Sequence, residues 1–197
     1  MNSEIIVVSG LPRSGTSLMM QMLENGGLEV VTDRIRTADT DNPRGYYEFE
    51  RVKKIKYDTA WLPETRGKAV KMVSQLLYDL PSSEAYRIVF MERDLDEMLL
   101  SQEKMLRRLG RGTAPRVDMK RAFTLHLEQL HAWLGQQRHL AVLRVSYNNL
   151  VERPREPAEH VREFLGGTAE VEGMVRTVDP SLYRNRKVAG EPAGNPV

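Results

Sequence analysis

The stretch VSGLPRSGTSL, residues 8–18, decides the fold of this chain. An apolar, β-branched run from Ile5 to Val8 leads into it and predicts a buried strand. Gly10 and Gly15 bound the loop that follows, and a helical pattern begins at Thr16. The chain therefore opens with a strand, a glycine-bounded loop and a helix.

Apolar runs and helical patterns alternate along the rest of the sequence. We predict strands at residues 4–9, 68–73, 86–91 and 140–146. We predict helices at residues 16–25, 95–109, 119–134 and 157–165, each followed closely by glycine. This alternation predicts an α/β fold with three layers, in which helices flank a central parallel β-sheet.

The composition favours a folded globular protein. The chain has 197 residues, of which 41% are hydrophobic and 28% charged, so we expect one domain at residues 1–189. The Gly- and Pro-rich end, residues 190–197, is predicted to be a disordered tail.

Cysteine is absent and the four histidines lack zinc-ligand spacing, so we expect no metal site. Without an apolar run of membrane-spanning length or a signal-peptide pattern, a cytoplasmic location is expected.

The loop has the form of the phosphate-binding motif G-x-x-x-x-G-K-[ST], but Thr16 occupies the lysine position. Its backbone N–H groups are expected to converge on an anion at the positive end of the helix. The candidate ligands are Ser14, Gly15, Thr16 and Ser17. Arg13 places a cation inside the loop. Because ATP and GTP enzymes use the lysine and Mg²⁺ to balance phosphate charge, the loop favours a less charged group.

A second pair of residues lies later in the chain. Arg93 stands at the end of the predicted strand 86–91, and Ser101 follows eight residues later in the predicted helix 95–109. Taken alone, a charged strand end and a helical serine are common in α/β proteins.

The loop segment PRSGTS, residues 12–17, together with Arg93 and Ser101, resembles the bacterial-type P-loop sulfotransferase family. The resemblance implies that the sulfuryl donor is 3′-phosphoadenosine-5′-phosphosulfate (PAPS) and that the product is adenosine 3′,5′-bisphosphate. It implies that the loop holds the 5′-phosphosulfate, with Arg13 at the sulfuryl group and the bridging oxygen. It also implies that Arg93 and Ser101 hold the 3′-phosphate.

Three weaker segments support the resemblance, and with them it extends from about residue 5 to residue 187. They are DNPRGYYE at residues 41–48, VSYNNLVERP at 145–154 and PSLYRNR at 180–186. The last is a basic C-terminal segment, which implies that Arg184 and Arg186, and also Lys187, contact the 3′-phosphate.

The general base is harder to assign. Many members of the family carry Lys-Thr-His between the two phosphate motifs; here Lys71 keeps the lysine, beside the sulfuryl group, whereas Val73 stands at the histidine position. We favour Glu48 as the base, since other sulfotransferases use glutamate. Glu48 is instead a surface carboxylate if it pairs with Arg44 or Lys53. Further candidate bases are His126, Asp39 and Asp41.

The predicted function is sulfuryl transfer from PAPS to a hydroxyl or amine acceptor by direct in-line displacement. One alternative is a P-loop nucleotide kinase, which requires ATP and Mg²⁺. The other is a non-catalytic domain that binds a phosphoadenosine nucleotide, because Val73 cannot accept a proton.

The sequence does not identify the acceptor, which is a glycan, a lipid, a phenol or another small metabolite. It does not identify the oligomeric state either. The aromatic residues 46, 47 and 49 either line an acceptor pocket or pack in the core. Between Lys104 and Arg121 the chain has seven Lys and Arg and one acidic residue, which is either a solvated face or a positive rim beside an anionic ligand. That run lacks aromatic residues, and we expect no nucleic acid partner.

Overall fold

A computed structural model of the chain describes residues 4–39, 42 and 45–182. Its strands form one parallel sheet in the order β2-β3-β1-β4-β5. The strands are β1 (Ile5–Gly10), β2 (Val30–Val31), β3 (Ala69–Lys71), β4 (Tyr86–Glu92) and β5 (Leu140–Ser146). The central strand is therefore β1, with β3 on one side and β4 on the other.

Helices lie between some of the strands and after the last one. They are α1 (Thr16–Asn25), α2 (Leu95–Arg108), α3 (Arg116–Leu134), α4 (Tyr147–Glu152), α5 (Arg155–Phe164) and α6 (Val171–Thr177). Short 3₁₀ helices lie at Glu50–Lys54, Leu62–Thr65, Ser74–Asp79 and Pro180–Leu182. Among the described residues, none of the helices is both long and apolar enough to cross a membrane.

The two faces of the sheet bury separate cores. All six residues of β1 are buried, and its alternate side chains point to opposite faces because a strand repeats every two residues. Ile6 and Val8 belong to a core with side chains of α1, α4, α5 and α6. Ile5 and Val7 belong to a second core that contains Trp61 and side chains of α3. The predicted three-layer α/β fold is confirmed.

Some element boundaries were predicted wrongly. The predicted strand 68–73 is only Ala69–Lys71, since a 3₁₀ helix begins at Ser74. Helix α3 begins three residues earlier than predicted, directly after Pro115, which has no N–H to donate but fits just before a helix. The elements β2, α4 and α6 were not predicted, and β2 is only two residues long. The predicted tail, residues 190–197, lies outside the described residues.

The carboxyl ends of the three middle strands meet at one edge of the sheet. At this edge β1 ends at Gly10, β3 at Lys71 and β4 at Glu92. Ligands of parallel α/β sheets bind outside the carboxyl ends of the strands, so the functional site is expected at this edge.

Candidate functional site

The loop between β1 and α1 folds back on itself. The N–H of Ser14 donates to the carbonyl of Leu11 (3.1 Å), and Arg13 and Gly15 both adopt left-handed conformations, with φ of 71° and 101°. A β-carbon at Gly15 would collide with the ring of Tyr147, so glycine is required there. The loop thereby places the start of α1 at the edge of the sheet.

The predicted loop ligands do not all face the same space. Gly15, Thr16 and Ser17 line a cavity, and the N-cap residue of α1 is Gly15, which has no side chain to cap the first turn. The N–H groups of a helix start lack intrahelical partners, so they are free to bind an anion. Ser14 does not line the cavity. Its hydroxyl is buried without a hydrogen-bond partner among the described residues, and its N–H donates within the turn to the Leu11 carbonyl.

The second predicted phosphate motif lies directly against the loop. Arg93 follows β4, and Ser101 lies on α2, whose first turn is capped by the carboxylate of Asp94. The Nε of Arg13 donates to the Ser101 hydroxyl (3.1 Å), and Nη1 of Arg93 donates to the Arg13 carbonyl (3.3 Å). The structure thus brings together two motifs that are about 80 residues apart in the sequence.

Arg93 is held by residues that the sequence analysis did not select. Its Nε lies 3.5 Å from Oε2 of Glu97, and both side chains are almost fully buried. Asn148 donates to the same carboxylate oxygen (3.1 Å), and the Arg93 guanidinium stacks over the Tyr147 ring at 4.5 Å. The one signal in the sequence is the short spacing of Arg93 and Glu97, because Glu97 lies in the first turn of α2, which begins two residues after Arg93.

On the other side of the loop, Lys71 ends β3 beneath the cavity. Its Nζ donates to the Ser17 hydroxyl (3.2 Å) and to the backbone carbonyl of Tyr46. Burial lowers the pKa of Lys71 to about 8, the nearby Glu48 carboxylate opposes this shift and Arg36 adds to it. Lys71 is therefore a cation at neutral pH whose charge is easily lost.

Glu48 belongs to a network of charged and aromatic side chains. Its Oε1 accepts from Nη1 of Arg36 (2.8 Å), rather than from Lys53, which pairs with Glu50. The guanidinium of Arg36 stacks on the Tyr46 ring at 3.4 Å. Sequence reasoning missed Arg36, since nothing local distinguishes it from other surface arginines.

Tyr46 also binds Asp39. The phenol donates to the Asp39 carboxylate, with O–O distances of 2.7 and 2.8 Å. Desolvation raises the pKa of Asp39, but hydrogen bonds from Tyr46 and Asn42 and the charges of Arg108 and Arg36 lower that pKa overall. Asp39 is thus an ionised partner of Tyr46 and does not line the cavity described next.

These groups surround one cavity of about 730 Å³. The predicted site residues that line it are Arg13, Gly15, Thr16, Ser17, Glu48, Lys71, Arg93 and Ser101. Outside this lining lies His126, whose Nε2 is 2.9 Å from the Ser74 hydroxyl and whose pKa is lowered by burial. The predicted residues Asp41, Arg184, Arg186 and Lys187 lie outside the described residues.

The basic run contributes to the cavity only at its start. Lys104 and Arg111 line it. Arg116 and Lys120 instead form surface ion pairs with Glu103 and Asp96. Part of the run is therefore a rim of the cavity and part is a solvated face.

Comparison with solved structures supports the same fold. A sulfotransferase domain from the curacin biosynthetic pathway is 14% identical, with a TM-score of 0.54 over 97% of this chain and 93% of that one. A sulfotransferase from Alicyclobacillus acidocaldarius is 18% identical, with a TM-score of 0.53 over 91% of this chain and 87% of that one. A comparison with curated proteins found no match. The family model of the sulfotransferase domain matches residues 3–189, and the chain therefore belongs to the sulfotransferase domain family.

Proposed function

We propose that the protein transfers a sulfuryl group from PAPS to a hydroxyl or amine acceptor, with adenosine 3′,5′-bisphosphate as product. The observation that carries the proposal is the direct contact between the two predicted phosphate motifs, in which Arg13 bonds Ser101 and Arg93 bonds Arg13. The cavity that they share also contains Lys71 and Glu48.

The donor set fits a nucleotide with two separate phosphates. The start of α1 offers the N–H groups of Gly15, Thr16 and Ser17 for the 5′-phosphosulfate, and Ser14 supports their turn. Arg93 and Ser101 offer a guanidinium and a hydroxyl for the 3′-phosphate. When bound, PAPS supplies the activated sulfuryl group. Arg184 and Arg186 stay predicted contacts of the 3′-phosphate.

The residues on the β3 side suit the acceptor. Glu48 takes the proton from the acceptor, whose oxygen or nitrogen then bonds to sulfur. Arg13 holds the bridging oxygen of the 5′-phosphate, which leaves with the electrons of the broken S–O bond. Lys71 stabilises the negative charge that develops on the sulfuryl oxygens. These steps amount to a direct in-line transfer, and a cytoplasmic location completes the proposal.

The experiment is calorimetric binding of adenosine 3′,5′-bisphosphate and of ATP with Mg²⁺, to the wild type and to Arg93→Ala. We expect the bisphosphate to bind more tightly than ATP, and the variant to lose about 100-fold in its affinity, since bonds to charged groups contribute about 1.5–3 kcal/mol each. Arg144→Ala is the matched control, because Arg144 is exposed and pairs with Glu92.

Tighter binding of ATP with Mg²⁺ than of the bisphosphate would favour the kinase hypothesis instead. The protein could also bind the bisphosphate but fail to convert PAPS to it when hydroxyl or amine acceptors are supplied. That result would favour a non-catalytic nucleotide-binding domain. Indifference of bisphosphate binding to the loss of Arg93 would remove the assignment of the 3′-phosphate site.

A further inference from the structure

The cavity continues beyond the phosphate loop on the side of β3, and its lining changes character there. Two segments form this wall: residues 49–53 and the residues directly after β3. Apart from Lys53, their lining side chains are apolar, namely Phe49, Val52, Met72, Val73 and Leu76. We call this surface the β3 wall.

Helix α2 shows the same change along its length. Ser101, Met105 and Leu109 all line the cavity and are four residues apart, so they share one face of the helix. Leu109 continues the helical turn, since its N–H donates to the Met105 carbonyl (3.1 Å). At a rise of about 1.5 Å per residue, the face turns from a hydroxyl to an aliphatic side chain within about 12 Å.

Part of this apolar surface is open to solvent. Val73 is 43% exposed and Leu109 is 52% exposed, although both line a cavity that also holds buried charged groups. Apolar surface that is continuous with a few convergent polar groups is typical of a small-molecule site.

In the part of the cavity that the β3 wall lines, the polar groups lie at the two ends. Glu48 and Lys71 lie next to the loop, and Lys53, Lys104 and Arg111 are exposed side chains on the rim. A glycan presents hydroxyls along its whole length, and each one buried against the β3 wall would lose its hydrogen bonds to water. An apolar body loses nothing there and gains from leaving water.

Resting on the proposed function, we propose that the acceptor is an apolar alcohol or phenol. Its hydroxyl lies between Glu48 and Lys71, and its body lies against the β3 wall, Met105 and Leu109. The hydroxyl proton goes to Glu48, the hydroxyl oxygen bonds to sulfur, and the bond between sulfur and the bridging oxygen breaks. The product is an apolar sulfate ester.

The test measures binding separately from turnover. Calorimetry gives the dissociation constants of two apolar probes, 2-naphthol and 1-octanol, and of lactose, with the protein alone and saturated with adenosine 3′,5′-bisphosphate. The variants are Val73→Glu and Leu109→Glu, both at exposed positions that tolerate a charge in the folded protein. The matched control is Leu125→Glu, because Leu125 is 53% exposed on α3 and does not line the cavity.

We expect the apolar probes to bind the wild type more tightly than lactose does. In the two cavity variants their affinity falls by about tenfold or more, because the bound probe strips water from the new carboxylate. Affinity for the bisphosphate stays unchanged in all variants, and Leu125→Glu behaves as the wild type.

Tighter binding of lactose, or apolar binding that both cavity variants leave intact, would overturn the inference while leaving the donor site in place. Failure of the wild type to bind the bisphosphate would count against the proposed function. In that case the probe titrations on the ligand-free protein still decide whether the β3 wall binds apolar hydroxyl compounds.

Discussion

The two sides of the cavity are built in different ways. On the proposed donor side, Arg93 and Ser101 come from a strand end and a helix, and the Arg93 side chain and Ser101 are almost fully buried. On the proposed acceptor side, Arg36 and Glu48 each lie outside the helices and strands, with side chains 44% and 24% exposed. Regular elements therefore position the donor-side residues, whereas on the acceptor side only Lys71 ends a strand and the Arg36–Glu48 pair depends on side-chain contacts.

The largest effect is expected where the two sides meet, at Arg13. It bonds Ser101 on the donor side, and its charge interacts with Tyr46 and Asp39 on the acceptor side. In phosphoryl transfer an arginine at the transferred group is worth 10³–10⁵ in rate, so Arg13→Ala should lower kcat/KM by about 10⁴. Initial rates with PAPS and 2-naphthol measure this. Arg155→Ala, a surface arginine paired with Glu172, is the control.

Glu48→Gln tests the acceptor side alone. Loss of a general base should lower kcat by about 10³ while the affinity for adenosine 3′,5′-bisphosphate stays constant. Arg36→Gln keeps the carboxylate and should cost much less in kcat. Equal losses in both variants would mean that the ion pair matters and the base lies elsewhere.

Lys71→Met should lower kcat/KM by about 10² at pH 7, because a cation at the developing charge is lost. The pKa of Lys71 in the free protein is about 8, so the side chain is charged below that pH and loses its proton above it. The kcat/KM of the wild type should be level near neutral pH and fall by about tenfold per pH unit above pH 8, while at acid pH it falls separately as the general base is protonated. The absence of this fall in the wild type, or its persistence in the variant, would exclude Lys71 as the cation.

The smallest effect is expected for Ser101→Ala on the donor side. Loss of one hydrogen bond to a charged group should weaken binding of adenosine 3′,5′-bisphosphate by about tenfold. Adenosine 5′-phosphate lacks the 3′-phosphate, so its affinity should fall much less, through the lost contact between Ser101 and Arg13 alone, and calorimetry with both ligands checks the difference. Equal weakening of both ligands would place Ser101 elsewhere in the nucleotide site.

The same contrast explains what the sequence could predict. Strand β1, helix α1 and the pair Arg93 and Ser101 follow from short patterns: an apolar run, two glycines and a fixed spacing across a strand end and a helix. The Arg36–Glu48 pair depends on the backbone of residues 32–39 and 45–49, whose sequence has no periodicity. Two non-glycine residues there, Arg34 and Tyr47, adopt left-handed conformations that no sequence pattern indicates.

Local sequence patterns also could not predict which loop side chains are buried. Ser14 has the residue type and position of a phosphate ligand, yet its side chain is only 1% exposed and lies beneath the loop. Which side of a tight turn a side chain occupies depends on the backbone dihedral angles, and one left-handed residue, Arg13, changes that outcome.

The left-handed backbone of Arg13 has a consequence for protein engineering. A residue other than glycine costs about 1–2 kcal/mol in this conformation, so the loop gives up stability to keep a guanidinium at this position. Arg13→Gly relieves this strain but also removes the hydrogen bond from Arg13 to Ser101, so we expect the free energy of unfolding to change by less than about 1 kcal/mol while transfer is abolished. A library screened only for thermal tolerance would therefore retain well-folded, inactive proteins with glycine at this site.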